Sequence, residues 1–188
     1  MAKDLRKFDY KKTATLDAEM WRAYYDHHFF RMFALLLKLM RSQFQFGWIL
    51  ALRAAYYAAV AAIDWRVSFG NENHRRVQKR LVKFYKLISD HAREPFDYKK
   101  AAEIEAEWWA IHRYPTRYEK PLESSLAEGM AAIYNGDPED FLAYGKKRAD
   151  AMLLRDSKKA KPDWEKITSL LFASWKGVHD AVRKDKTS

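Results

Sequence analysis

The segment Phe8–Trp21, FDYKKTATLDAEMW, returns 88 residues later at Phe96–Trp109 as FDYKKAAEIEAEWW. Nine of the fourteen positions are identical, and Leu16/Ile104 and Asp17/Glu105 are conservative exchanges. Agreement this dense in so short a window marks a tandem duplication. It predicts an all-α helical bundle of six to seven helices, built from two three-helix repeats with pseudo-two-fold symmetry. The repeats run at about residues 8–95 and 96–185 of a single domain spanning 1–188.

Composition agrees with a packed helical chain. Hydrophobic residues make up 48% and aromatics 15%, enough to build one buried core in 188 residues. The six Gly and five Pro fall between periodic segments rather than inside them, which favours helices with short connections. Cysteine is absent, so disulfides, Cys nucleophiles, thiolate zinc sites and cysteine-held iron–sulfur clusters are excluded. The opening MAKDLRKFDYKK lacks the apolar core of a signal peptide, so a cytoplasmic location is expected.

The periodicity predicts a first helix over Thr15–Arg41, capped by Thr15, with Asp17 and Glu19 near its positive end. A second, Gly47–Trp65, is apolar nearly all round and is expected at the centre of the bundle. Arg53 and Asp64 argue against that segment crossing a membrane. After the loop Phe69–Asn73, a third helix runs to about Ala92. The second half opens with Asp97 as cap of a helix to Arg113, then helices at Leu122–Tyr134, Glu139–Leu154 and Trp164–Arg183.

Candidate chemistry comes from polar residues on apolar faces. Glu105 and His112 lie two turns apart on one line of the repeated helix, inside an arc of Ala101, Ile104, Trp108 and Trp109. The first half offers Asp17, Tyr24 and, one turn on, His28. Arg53, Tyr57 and Asp64 form a polar line on the second helix. If the first helices of the two halves meet on the two-fold, these groups converge on a polar pocket between the repeats, suited to a small molecule. In that reading Glu105 and His112 are the proton-transfer pair, and Arg53 holds an anionic group of the ligand. The competing structural reading is a set of buried ion pairs that fixes the register of the core.

No metal site is specified: Glu-x-x-His and HExxH are missing, as are GxGxxG and a phosphate-binding GxxxxGK[ST] loop. The cofactor is therefore left unknown. The third helix carries Arg75, Arg76, Lys79, Arg80, Lys83 and Lys86 on one face, within a formal net charge of +10. That stripe is the alternative functional feature, a surface for nucleic acid or an anionic membrane. A structural or assembly protein without a ligand is the third reading. Aromatic and Ala-rich helical surfaces also make a homodimer a candidate arrangement.

Overall fold

The computed structural model describes residues 2–68, 74–157 and 161–184; the predicted loop Phe69–Asn73 lies outside them. Eight α-helices follow in order: α1 Tyr10–Tyr25, α2 Phe29–Phe44, α3 Trp48–Val67, α4 His74–Ser89, α5 Tyr98–Arg113, α6 Leu122–Tyr134, α7 Leu142–Asp156 and α8 Trp164–Lys184. Short 3₁₀ turns occupy Pro115–Arg117 and Pro138–Phe141. There is no strand among the described residues, only an isolated bridge between Lys3 and Ala92. The chain is all-α, with eight helices among the described residues rather than six to seven.

The extra helix comes from a break inside the predicted Thr15–Arg41 span. His27 takes a left-handed conformation at φ 59°. His28 N–H donates to Ala23 O at 2.8 Å and His27 N–H to Tyr24 O at 3.2 Å, which closes α1 with a Schellman motif. Glycine usually fills that left-handed position, so a histidine there gives no stop signal in the sequence.

The start of α1 differs as well. Asp9, not Thr15, caps it, its side chain accepting Lys12 N–H at 3.1 Å. Asp97 caps α5 in the same way, accepting Lys99 and Lys100 N–H at 3.0 Å. The repeated FDYKK is thus a helix start: Phe8 and Phe96 are buried ahead of each cap, and Asp fixes where the helix begins. Thr15 instead bonds back to Lys11 O within the helix, which leaves Asp17 in mid-helix.

The helices form a closed ring. Each packs on the next in sequence, and α8 returns to α1. Apolar stripes turn inward, with Leu81, Ile88, Ile167 and Leu171 fully buried; each contributes about 1.5–3 kcal/mol of transfer free energy. Glycine lets α6 and α7 close up: a Cβ at Gly145 would lie 2.1 Å from Glu123 O. Helix α3, expected at the centre, is instead one stave of the ring. Its inner face of Ala51, Ala54, Ala55 and Ala61 is buried, while Ile49 and Val67 on the other side are 77% and 73% exposed.

Positions and contacts recur around the ring. Helices α1 and α5 span the same stretch 88 residues apart, and α4 and α8 begin 90 apart. Gln45 Nε2–H donates to Lys7 O at 2.7 Å, and Asn135 Nδ2–H to Pro95 O at 3.2 Å, both from left-handed residues that end α2 and α6. Lys86 pairs with Asp90 on α4, and Lys176 with Asp180 on α8. Arg155 stacks 3.7 Å over the Tyr25 ring, and Arg113 stacks 3.9 Å over Trp65.

Candidate functional site

A cavity of about 180 Å³ lies inside the ring, and all eight helices contribute to its wall. Most of the wall is apolar: Met20, Leu36, Leu39, Met40, Phe44, Ala58, Leu81, Phe84, Leu126, Met130 and Ile133. Trp108, Trp109, Tyr85, Tyr144 and Trp175 add aromatic faces and edges. Three charged residues stand in this setting, Asp17 on α1, Glu105 on α5 and Arg148 on α7.

The two carboxylates sit at matching positions of the repeated segment but have different partners. Asp17 is 1% exposed and ion-paired: Arg148 Nη1 lies 2.6 Å from its Oδ2, and Nη2 lies 3.5 Å from Oδ1. Trp175 Nε1–H, from α8, also donates to Asp17 Oδ2 at 2.8 Å. Burial pulls the Arg148 guanidinium down, but Asp17, Tyr144 and Glu105 more than offset it, so Arg148 stays charged.

Glu105 has only neutral donors. Tyr85 O–H, from α4, reaches its Oε2 at 3.0 Å, as does Trp108 Nε1–H at 2.7 Å. Trp109 Nε1–H reaches Oε1 at 3.0 Å. Burial pushes the Glu105 carboxyl above the ordinary carboxylate range; the bonds from Trp108, Tyr85 and Trp109, and the more distant charge of Arg148, pull the other way without cancelling it. Oε1 keeps acceptor capacity beyond its one bond to Trp109. The group can therefore accept a further donor from a molecule in the cavity, and a nearby cation would favour its ionised form.

The other expected site residues lie elsewhere. His112 does not line the cavity; its Nε2 is 2.9 Å from Asp156, at the end of α7. Two turns of helix separate it from Glu105 by about 10 Å, so the two form no dyad. His28 is exposed at the α1–α2 junction, where its backbone caps α2. Tyr24 packs edge-on against Tyr25, with ring centroids 5.2 Å apart. Arg53 points outward from α3 and is exposed. Tyr57 lies under Lys83, 5.9 Å away, and Asp64 is 3.7 Å from Arg80 Nε. Helices α1 and α5 are not ring neighbours; they face the cavity from separate positions, so the expected convergence reduces to Asp17 and Glu105.

Arg148, Tyr85, Tyr144 and Trp175 were missed in the sequence. Arg148 had a readable signal: its helical neighbours Tyr144, Gly145, Ala151 and Met152 are all buried, so a single cation interrupts an apolar stripe. On α4, Arg75, Arg76, Lys79, Lys83 and Lys86 are exposed, while Arg80 turns toward Asp64 and Lys86 is held by Asp90 at 2.8 Å. Among the described residues, no three His, Asp or Glu side chains come together in a way that could hold a metal ion. No single helix among them is long and apolar enough to cross a membrane; α2 and α3 reach that length only as a pair bent by 118°. No protein-family model, curated protein or solved structure matches the chain.

Proposed function

We propose that the chain is a small-molecule-binding helical ring made of two tandem halves, α1–α4 and α5–α8, whose central cavity takes a compact, mostly apolar amine. The observation that carries this reading is Glu105: a partly buried carboxylate in the wall of a 180 Å³ cavity rich in aromatic rings, hydrogen-bonded by three neutral groups and by no cation. A volume near 150 Å³ accommodates about one benzene ring, so a ligand of one ring with a short basic arm fits the space. The ammonium group would meet Glu105, and the ring would lie against Trp108, Tyr144 and the methionines.

The duplication supports the choice of a cation. Beyond the α1/α5 segment the correspondence runs at an offset of 90, which matches Tyr85 with Trp175 and Gln45 with Asn135. Tyr85 and Trp175 then make the same contact, each donating from the last helix of one half to the carboxylate on the first helix of the other. The same offset matches Arg148 with Ala58, and both line the cavity. In one half the carboxylate is paired with Arg148; in the other, the matching wall position is the uncharged Ala58, and Glu105 has no ion-pair partner among the described residues. A ligand amine would supply the missing charge.

Ala58→Arg tests this directly. The new guanidinium should reach Glu105, raise the melting temperature and abolish amine binding. Native mass spectrometry of the parent protein should show a bound basic molecule as purified, and the variant should not. A variant that melts lower and leaves amine binding unchanged would overturn both the symmetry and the site. A second reading rests on Arg75, Lys79 and Lys83, exposed one turn apart on α4, as a polyanion surface. It predicts binding to nucleic acid or anionic vesicles that weakens steeply with salt and is lost when these three become Glu.

A further inference from the structure

The outward face of α3 has no partner in the ring. Ile49, Leu52, Tyr56, Ile63 and Val67 recur at helical spacing along about 27 Å and are half to three-quarters exposed. Trp48, 60% exposed, extends the patch at the start of α3. With aromatic side chains offering 150–250 Å² each, the patch totals on the order of 1,000 Å². That exceeds the largest apolar patch of a typical monomer and matches what one partner gives to a stable interface, about 800 Å².

We propose that this face is covered by α3 of a second copy, packed antiparallel about a two-fold axis that passes between the two helices, level with Ala58 and Ala59. The charges on the stripe single out this occupant. Arg53 and Asp64 are eleven residues apart, three turns, so both lie on the same edge of the stripe, the edge toward α4. Their midpoint falls at the centre of the apolar run. A perpendicular two-fold there brings Arg53 to the height of the partner's Asp64, on the same side, twice per dimer. The same operation sets Ile49 within one residue of the partner's Val67 and Leu52 within two residues of the partner's Ile63.

Both charged groups have capacity to spare. Arg53 makes no hydrogen bond or ion pair with another described residue, and Asp64 Oδ2 is buried without a hydrogen bond, with Arg80 Nε 3.7 Å away. A lipid surface would cover the apolar residues but would draw Asp64 toward hydrocarbon with no new cation, whereas the second copy answers it with an arginine.

Sedimentation velocity of the full chain at micromolar concentration tests the assignment, with far-UV circular dichroism to verify folding. The parent should sediment as a dimer, and Arg53→Asp should weaken it by on the order of 100-fold. The exchange Arg53→Asp with Asp64→Arg should restore it by re-forming both pairs in reverse. Ile49→Glu, at an exposed position that does not bear on the fold, should also yield a folded monomer. A parent that stays monomeric overturns the proposal, and co-sedimentation of that monomer with phosphatidylserine vesicles would reassign the face to lipid. A dimer unaffected by Arg53→Asp and Ile49→Glu overturns it equally.

Discussion

Arg148→Met would show what the buried charges contribute to the ring. The change removes the 2.6 Å contact to Asp17 Oδ2 and the 3.5 Å contact to Oδ1. Asp17, 1% exposed, would keep only the Trp175 indole as donor. Removing one partner of a buried pair costs about 3–5 kcal/mol, because the remaining charge has neither water nor counterion. In a chain of this length each kcal/mol shifts the melting temperature by roughly 2–4 °C, so a drop of about 10 °C is expected. Adding Asp17→Asn removes the stranded charge while leaving an oxygen for Trp175, and the double variant should recover most of the loss. Thermal melts followed at 222 nm would decide it. A single variant within about 2 °C of the parent, or a double variant no better than the single, would refute the argument that the pair neutralises a buried carboxylate.

Three further outcomes follow from the geometry. Glu105 holds its proton more tightly folded than unfolded, so stability should fall as pH rises from the ordinary Glu value through its raised native one; urea midpoints across pH should show that slope, and Glu105→Gln should flatten it. Gly129 lines the cavity with 3.6 Å between an added Cβ and Ile104, so Gly129→Ala should raise stability by about 0.5–1 kcal/mol through helix propensity while narrowing the site. Gly145→Ala should do the reverse and destabilise severely, since its Cβ would strike the backbone carbonyl of Glu123 at 2.1 Å; differential scanning calorimetry separates the two.

Much of the helical layout could be read from the chain. Of the two FDYKK segments that start helices, only the second is read as such, with Asp97 as cap, where Pro95 and the preceding charges isolate it. At Asp9 the nearby Thr15 competed as a cap and displaced the helix start by several residues. The α1–α2 break was hidden because His27 rather than Gly takes the left-handed position. The site was half legible. Wheel geometry put Asp17 and Glu105 on inward faces, and both line the cavity. The same geometry failed for His112 and Arg53, because a residue two turns along a shared line can lie beyond the end of a cavity, and an apolar helix need not be buried all round. Arg148 was invisible to pair reasoning within one segment, since its partner Asp17 is 131 residues away.

The central claim is that Glu105 receives a cation in the cavity, and titration of benzylamine against benzyl alcohol, followed by tryptophan fluorescence near neutral pH, tests it most directly. Three of the seven tryptophans, Trp108, Trp109 and Trp175, line the cavity, so occupancy should change the emission. The account predicts saturable binding of the amine, weaker binding of the alcohol, and a loss of about 10- to 100-fold for the amine alone in Glu105→Gln, the range of a charge-assisted hydrogen bond. Equal affinity for amine and alcohol, or an amine titration unchanged by Glu105→Gln, would contradict it.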